Sequence, residues 1–163
     1  MQPSQVLFQG EALPRALPVC DHYAGTEVRM RKALALQAEL GPVFDITFDC
    51  EDGALVGKEA EHAQLVADIL LSSDNRFNRV GVRIHDPSHP CWKADVATLI
   101  KQAGKKIAFV MIPKVVSATQ TQSIIDEINH VAKTANIGRV IPIQVLIETH
   151  GALQDVQAIA ALE

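Results

Sequence analysis

One segment limits the folds open to this chain more than any other. An apolar run, residues 44–48, leads directly into Asp49, Glu51 and Asp52 and then into Gly53. A short strand of this kind can be buried, but its carboxylates cannot be buried unpaired, because desolvating a carboxylate is costly. The strand must therefore leave the core here, so that its acids meet water, cations or a metal. In α/β folds, ligands bind at the carboxyl ends of the strands.

The rest of the chain alternates strand-like and helix-like segments. The pattern predicts strands over residues 16–20, 44–49, 79–84, 107–112 and 141–147, and helices over residues 29–40, 58–71, 92–103, 118–134 and 151–162. The strands after the first are nearly continuous apolar runs, which is typical of a parallel sheet covered on both faces. About five β/α units follow. They fit an open doubly wound sheet or the N-terminal portion of a TIM (β/α)8 barrel, which needs around 250 residues when complete.

Composition removes several classes of function. The chain has 163 residues, enough for a single domain with a real core, and its net charge of −4 with no long basic run argues against nucleic-acid binding. No apolar stretch approaches the roughly 20 residues that span a bilayer, and the N-terminus lacks the pattern of a signal peptide. Three widely spaced cysteines favour a reducing, cytoplasmic location over a disulfide framework.

Polar groups follow four successive predicted strands. A parallel sheet brings the carboxyl ends of its strands to one rim, so these side chains should converge there. Carboxylates and water suit Mg²⁺, and an arginine can hold a substrate carboxylate with two hydrogen bonds. The expected chemistry is the handling of a carboxylate or carbonyl substrate with a divalent cation. The residues concerned are Asp49, Glu51, Asp52, Arg83, Lys114 and Glu148.

The order of these motifs resembles that of the citrate lyase beta-subunit and malyl-CoA lyase-like family, within the aldolase/citrate lyase superfamily. The matching motifs are Phe-Asp-x-x-x-Asp-x-Glu-Asp-Gly, Val-Arg-Ile, Ile-Pro-Lys-Val and Leu-Ile-Glu-Thr, in that order over residues 44–149. The resemblance implies the barrel rather than the open sheet, a Mg²⁺ cofactor and usually a CoA thioester substrate. It further implies reversible aldol- or Claisen-type cleavage of a 3-hydroxy acyl-CoA or a related hydroxy acid, by a homo-oligomer that is a trimer or hexamer.

The resemblance also implies the metal ligands. Glu148 matches the glutamate that ligates Mg²⁺, whereas the second ligand is an aspartate at the end of a sixth strand. That aspartate is expected beyond residue 163, so residues 1–163 are predicted to form one incomplete barrel domain that is inactive alone. The complete protein is predicted to be a carbon–carbon lyase.

The remaining site residues are assigned by the same resemblance. Arg83 matches the arginine that binds carboxylate or keto oxygens of the substrate, and with Mg²⁺ it would stabilise the enolate left by cleavage. Asp49, Glu51 and Asp52 match the acidic motif beside the metal, where they hold waters or orient Arg83. Lys114 matches the substrate-side lysine after the fourth strand. No general base is evident in the sequence.

Two other functions remain open from the sequence. A malyl-CoA-type thioesterase or synthase of the same superfamily would use the same enolate-stabilising site. A non-catalytic α/β domain that binds a small anion is the second alternative.

Five further polar or reactive residues are not expected to take part in the chemistry. The spacing of His85 and His89 allows a zinc site, but no cysteine pair or third histidine supports it. His22 and Tyr23 could line the rim from the first loop, but they are predicted to be ordinary surface residues. Neighbouring acids should raise the thiol pKa of Cys50 and make it a poor nucleophile.

Overall fold

The computed structural model describes residues 18–54 and 56–162, which alternate strands and helices along the chain. The strands are β1 (Asp21–Ala24), β2 (Asp45–Asp49), β3 (Val80–Arg83), β4 (Ile107–Ile112) and β5 (Ile143–Val145). The helices are α1 (Glu27–Leu40), α2 (Glu59–Leu71), α3 (Trp92–Ala103), α4 (Ala118–Thr134), α5 (His150–Gln154) and α6 (Val156–Ala160). None of the helices in these two ranges is both long and apolar enough to cross a bilayer.

The described strands form one parallel sheet in the order β1-β2-β3-β4-β5. Each strand lies beside its neighbour in sequence, without the reversal of strand order that marks a doubly wound sheet. The arrangement confirms the predicted α/β fold and is that of the N-terminal portion of a (β/α)8 barrel. Its consequence for function is that the carboxyl ends of all five strands lie along one rim.

The core lies between the central strands and the helices that cover them. Phe48 and Val82 are fully buried in β2 and β3. Helix α4 presents Ile124 and Ile128 to this core, at the four-residue spacing that places side chains on one helical face. Ser117 caps the start of α4 by accepting a hydrogen bond from the backbone N–H of Gln120. The rim is therefore carried by a well-packed sheet.

Two strands differ from their predicted bounds by more than one residue at an end. The first was predicted over residues 16–20, but residues 16–17 lie outside the described part of the chain and the strand is Asp21–Ala24. This segment is polar and lacks the apolar run by which the other strands were predicted. It forms a strand because it pairs in register with the start of β2. The fifth was predicted over residues 141–147 and is limited to Ile143–Val145, where it pairs with β4.

The predicted single helix over residues 151–162 is wrong. Two short helices replace it, and they meet at Asp155. The Asp155 side chain points to the start of α4, where it accepts a hydrogen bond from the backbone N–H of Ala118 at 3.0 Å. That tertiary contact satisfies an otherwise unpaired donor of the α4 N-terminus, and it has no signature in the local sequence.

Candidate active site

The candidate site lies at the carboxyl ends of β2, β3 and β4. Asp49 is the last residue of β2 and Arg83 the last of β3, and the two are paired in register across the strands. Residues paired in this way project to the same side of a sheet, so the acidic and basic side chains meet directly. The predicted convergence at the rim is therefore present for these two residues.

The hydrogen-bonding capacity of the Asp49 carboxylate is filled by neighbouring groups of the protein. Its oxygens accept hydrogen bonds from Nε and Nη2 of Arg83 at 2.8 and 2.6 Å, and from the backbone N–H groups of Glu51 and Gly53 at 2.9 and 2.8 Å. Burial alone would raise the pKa of Asp49, but the bonds from Arg83 and from the backbone hold it below its usual value. Four donors saturate a carboxylate, so Asp49 orients Arg83 and has little capacity to bind anything else.

Arg83 is buried by the groups that pair with it, with 11% of its side chain exposed. Its Nη1 atom lies 3.1 Å from Glu51 Oε2 and 3.9 Å from Asp52 Oδ2, and its guanidinium carbon lies 5.2 Å from the centre of the Tyr23 ring. Burial opposes the charge, but the bond and the charge of Asp49 and the two further acids raise the pKa of Arg83. Of its five N–H donors, one each on Nη1 and Nη2 remains after these contacts among described residues.

Lys114 links the acidic motif to the loop after β5. Its ammonium lies 2.9 Å from Glu51 Oε1 and 2.9 Å from Asp52 Oδ1, and the contacts with these two acids raise the pKa of Lys114. Its backbone has a φ of 51°, in the left-handed region that few residues other than glycine adopt. That conformation directs its N–H to Glu148 Oε1, at 2.8 Å. Backbone strain of this kind is frequent at functional sites.

Glu51 lies between the two cations. Only 5% of its side chain is exposed, and burial raises its pKa despite the nearby ammonium and guanidinium. Both of its oxygens are buried without a directed hydrogen bond from the described residues, although Lys114 and Arg83 lie at ion-pair distance. Glu51 thus differs from the saturated Asp49 in having acceptor capacity that this arrangement does not use.

Glu148 lies beyond β5, on an exposed segment that precedes α5. Thr149 caps that helix by accepting a hydrogen bond from Ala152 N, and it ties the segment to Val115 O at 2.6 Å. One Glu148 oxygen binds the backbone of Lys114, and the other can take a ligand. Within residues 18–54 and 56–162, no three histidine, cysteine or acidic side chains are grouped closely enough to hold a metal ion. Glu148 alone would supply one ligand.

Two glycines allow the first two loops of the rim to touch. A Cβ atom on Gly25 would lie 2.0 Å from the carbonyl oxygen of Gly53, and a Cβ on Gly53 would lie 2.5 Å from Asp49 Oδ2. Any side chain at either position would displace backbone or the carboxylate that holds Arg83. The glycine after the acidic motif is therefore required by close approach.

The structure corrects the interpretation of Tyr23, agrees with that of His22 and changes the main cause assigned to the raised pKa of Cys50. Tyr23 was predicted to lie on the surface, but its ring lies against Arg83 and its hydroxyl contacts Met111 Sδ at 2.8 Å, so it lines the site although 39% exposed. His22 is exposed, as expected. The pKa of Cys50 is raised well above its usual value, chiefly because the thiol is buried and only secondarily because acids are near.

Sequence reasoning missed a buried pair next to the site. His85 Nδ1 lies 2.6 Å from Asp95 Oδ2, which also accepts the backbone N–H of His85 at 2.9 Å. His89 does not form a metal site with His85; the rings stack, with centroids 4.1 Å apart. The available signal was an aspartate in the first turn of α3, five residues after Pro90, but its partner could be identified only from the fold.

A cavity of about 270 Å³ adjoins the Arg83 cluster, which consists of Arg83, Asp49, Glu51, Asp52 and Lys114. It lies between the loops that follow β2, β3 and β4, and its polar walls come from both the acidic motif and the missed histidine. Its lining residues are Glu51, Asp52, Ala54, Val56, Glu59, His85, Asp86, His89 and Lys114.

Comparison with known proteins agrees with this geometry. A model of the HpcH/HpaI aldolase/citrate lyase family matches residues 32–163. A solved citrate lyase from Burkholderia xenovorans LB400 is 50% identical with a TM-score of 0.88, over 90% of this chain and 46% of that one. The Mycobacterium tuberculosis protein CitE, solved with magnesium and acetate, shares the fold with a TM-score of 0.61 at 19% identity, over 90% of this chain and 51% of that one.

A curated relative gives the same family at lower similarity. An L-malyl-CoA/beta-methylmalyl-CoA lyase from Cereibacter sphaeroides is 26% identical over 116 residues, which is 71% of this chain and 36% of the relative. The chain therefore spans about a third of the length of the curated relatives it matches. Because the family model covers most of the sequence and the acidic, arginine, lysine and glutamate motifs all fall inside it, the chain belongs to the HpcH/HpaI aldolase/citrate lyase family.

Proposed function

We propose that the protein is a Mg²⁺-dependent carbon–carbon lyase acting on a 3-hydroxy acyl-CoA or a related hydroxy acid. Membership of the family supports a lyase, and the named relatives include a malyl-CoA lyase and a protein solved with magnesium. The observation that carries the proposal is the way in which Asp49 fixes Arg83. A rigid guanidinium with unused N–H groups, at the rim of the sheet, is suited to an anionic oxygen of a substrate.

The charges of the site support a divalent cation. In the described part of the chain, four carboxylates (Asp49, Glu51, Asp52 and Glu148) face two cationic side chains, which leaves a formal charge of 2 − 4 = −2. A partly buried surplus of this size is costly without a counter-ion. Glu148 would hold Mg²⁺, because its second oxygen is accessible and Mg²⁺ binds proteins through one or two carboxylates plus waters. The second ligand, an aspartate beyond residue 163, stays a prediction.

Held by Glu148, Mg²⁺ would supply a Lewis acid for the carbonyl oxygen next to the bond that breaks. The other contributions come from residues of this chain. Arg83 donates its free N–H groups to a substrate carboxylate or keto oxygen, and it is held in place before the substrate arrives, so that little reorganisation is needed as charge develops. Lys114 keeps the acidic motif and the Glu148 segment together, and its ammonium adds positive charge beside the substrate.

The test uses the protein at its full native length. Calorimetric titration with Mg²⁺ compares the wild type with Glu148→Gln, and with Glu61→Gln as a matched control, because Glu61 is an exposed glutamate on α2 away from the rim. We expect Glu148→Gln to weaken Mg²⁺ binding at least about tenfold, since a carboxylate ligand is replaced by a neutral amide, while the control binds as the wild type does. Unchanged binding in Glu148→Gln would refute the assignment of the ligand.

Activity is followed in parallel with a 3-hydroxy acyl-CoA panel and the corresponding free hydroxy acids. Chromatographic detection of the shorter acyl-CoA and the carbonyl fragment, with Mg²⁺ present, is the expected result. Free CoA formed without cleavage of the carbon chain would identify a thioesterase instead. Mg²⁺ or anion binding without turnover of any substrate would favour a non-catalytic domain. Light scattering on the same sample tests the predicted trimer or hexamer.

A further inference from the structure

The His85–Asp95 pair has the geometry of a proton-transfer pair. Asp95 Oδ2 accepts both the backbone N–H of His85 and its ring Nδ1, so the imidazole is held at two points. The side chains are 9% and 2% exposed, and Asp95 is carried by α3 while His85 lies two residues beyond the end of β3. Two rigid elements therefore fix the ring, and free rotation about its side-chain bonds is prevented.

The bond to Asp95 selects which nitrogen can react. An ionised Asp95 can only accept, so Nδ1 must carry the proton and donate it to the carboxylate, which leaves Nε2 as the basic atom. Burial raises the pKa of Asp95, while the two bonds from His85 and the nearby imidazole charges act in the opposite direction. Contact with His85 therefore stabilises the negative charge of Asp95, so the protonation states of the two groups are coupled.

The imidazole borders the same cavity as the Arg83 cluster. His85 lines it from the β3 side, and Glu51 and Lys114, which contact each other and lie beside Arg83, line it from the other sides. His89 stacks on the His85 ring, with an interplanar angle of 14°. The ionisable groups that face the imidazole from the surrounding elements are Asp95 (α3), Glu59 (α2), Glu51 and Asp52 (loop after β2), Asp86 and His89 (loop after β3) and Lys114 (loop after β4).

We propose that His85, positioned by Asp95, is the base that removes the proton from the substrate hydroxyl in the cleavage proposed above, on which this inference rests. Nε2 takes the hydroxyl proton, the O–H electron pair forms the new carbonyl bond, and the carbon–carbon bond breaks with its electron pair passing to the enolate. The protonated imidazole then passes this proton, through water, to the enolate carbon, which leaves the carbon protonated and returns His85 to its neutral form. Atoms and electrons balance without an oxidant or reductant.

A purely structural role for the pair makes a different prediction. If the pair only fastened the loop after β3 to α3, substitutions would lower activity or stability at every pH alike. A base that must be neutral to act gives an acid limb in the kcat/KM profile, because activity is lost as the imidazole becomes protonated. The test therefore measures pH profiles as well as rates.

The experiment uses the full-length protein with Mg²⁺ and compares the wild type with His85→Gln, Asp95→Asn and the control His130→Gln, an exposed histidine on α4. In His85→Gln we expect kcat to fall by about 10²–10⁴-fold at neutral pH, the range typical of a general base, with KM little changed and the acid limb absent. Asp95→Asn should slow the reaction while keeping a displaced acid limb. The control should match the wild type.

Several outcomes would overturn the assignment. Near-normal kcat in His85→Gln, or a slow variant that keeps the acid limb of the wild type, excludes His85 as the base while the proposed function stands. A wild type without lyase activity refutes the proposed function and, with it, the assignment of His85 as the base. Where His85→Gln fails to fold, nitrogen NMR of the wild-type imidazole decides: the neutral ring should be protonated on Nδ1, and protonation on Nε2 contradicts the proposal.

Discussion

Replacing Asp49 by asparagine should destabilise the protein by about 3 kcal/mol. The carboxylate is 3% exposed, forms a two-point ion pair with Arg83 and accepts two backbone N–H groups. Removing one partner of a buried ion pair typically costs about 3–5 kcal/mol, because the other charge stays buried. The lower end is expected, since Glu51 and Asp52 still face the guanidinium.

The same two strands contain a matched control. Arg79 Nε lies 2.6 Å from Asp45 Oδ1, at the opposite ends of β2 and β3, four residues before Arg83 and Asp49. This pair has the same chemistry but is more exposed, with 32% of the arginine and 18% of the aspartate side chain accessible. Solvent screening reduces such pairs to about 1 kcal/mol or less. Asp45→Asn should therefore have a small effect, because this pair is more exposed and is joined by one Nε–Oδ1 contact where Arg83 and Asp49 are joined by two.

Urea unfolding followed by circular dichroism measures the two losses. With a slope of about 2 kcal/mol per molar urea, which is within the usual range, the expected loss moves the midpoint of Asp49→Asn down by about 1.5 M and that of Asp45→Asn by less than about 0.5 M. Because the folded-state pKa of Asp49 is lowered, its stabilisation is present above the unfolded-state pKa, about 3.9, and is lost as the pH falls through the folded-state value.

Two results would refute this reasoning. Equal midpoint shifts for the two variants would show that the buried pair contributes no more than the exposed one. A difference between wild type and Asp49→Asn that stayed constant down to strongly acid pH would show that the Asp49 charge is not its source. Either outcome would also weaken the proposal that Asp49 fixes Arg83 for substrate binding.

Two further predictions concern the neighbouring loops. Gly25→Ala should lower the free energy of unfolding, measured with urea, by about 1–3 kcal/mol. The new Cβ would lie 2.0 Å from the Gly53 carbonyl oxygen, and neither backbone can move without displacing the acidic motif. Wild-type stability in this variant would contradict the close contact. Glu51→Gln should become more stable relative to the wild type as the pH rises. Burial raises the folded-state pKa of Glu51. The contribution of this side chain to the stability of the wild type is therefore full below its unfolded-state pKa and declines as the pH rises through the raised value. A stability difference between the two proteins that does not change with pH would contradict this.

The sequence predicted the parts of the site that follow from strand order. Asp49 and Arg83 each end an apolar run, and in a parallel sheet with neighbours in sequence order their side chains must meet. Lys114 follows β4 by the same logic. The order of the strands was not readable from periodicity, since an open sheet and a barrel share the same apolar runs; the motif resemblance favoured the barrel, and the structure agrees.

The residues that were missed depend on contacts between distant segments. Tyr23 lies in β1, whose polar sequence does not indicate a strand. Its ring lies against Arg83 only because β1 pairs with β2. Asp95 and His85 look like a helix-start acid and a loop histidine, and both are ordinary in isolation. Their contact requires the packing of α3 against the sheet, which no local pattern specifies. The break at Asp155 has the same origin, because its partner is the start of α4.

Counting donors and acceptors separates the residues of the site into two kinds. Asp49 has its bonding capacity filled by the protein, so substitutions there act through Arg83. Glu51, Glu148 and His85 each keep an atom that the described residues do not engage by a directed hydrogen bond: a buried carboxylate oxygen, an accessible one, and the second imidazole nitrogen. A buried acceptor that is left unused costs stability unless a ligand takes it up, whereas an accessible oxygen such as that of Glu148 is hydrated until a ligand binds. That cost is explained if a metal ion and a substrate occupy the rim, and the three atoms then mark where each would bind.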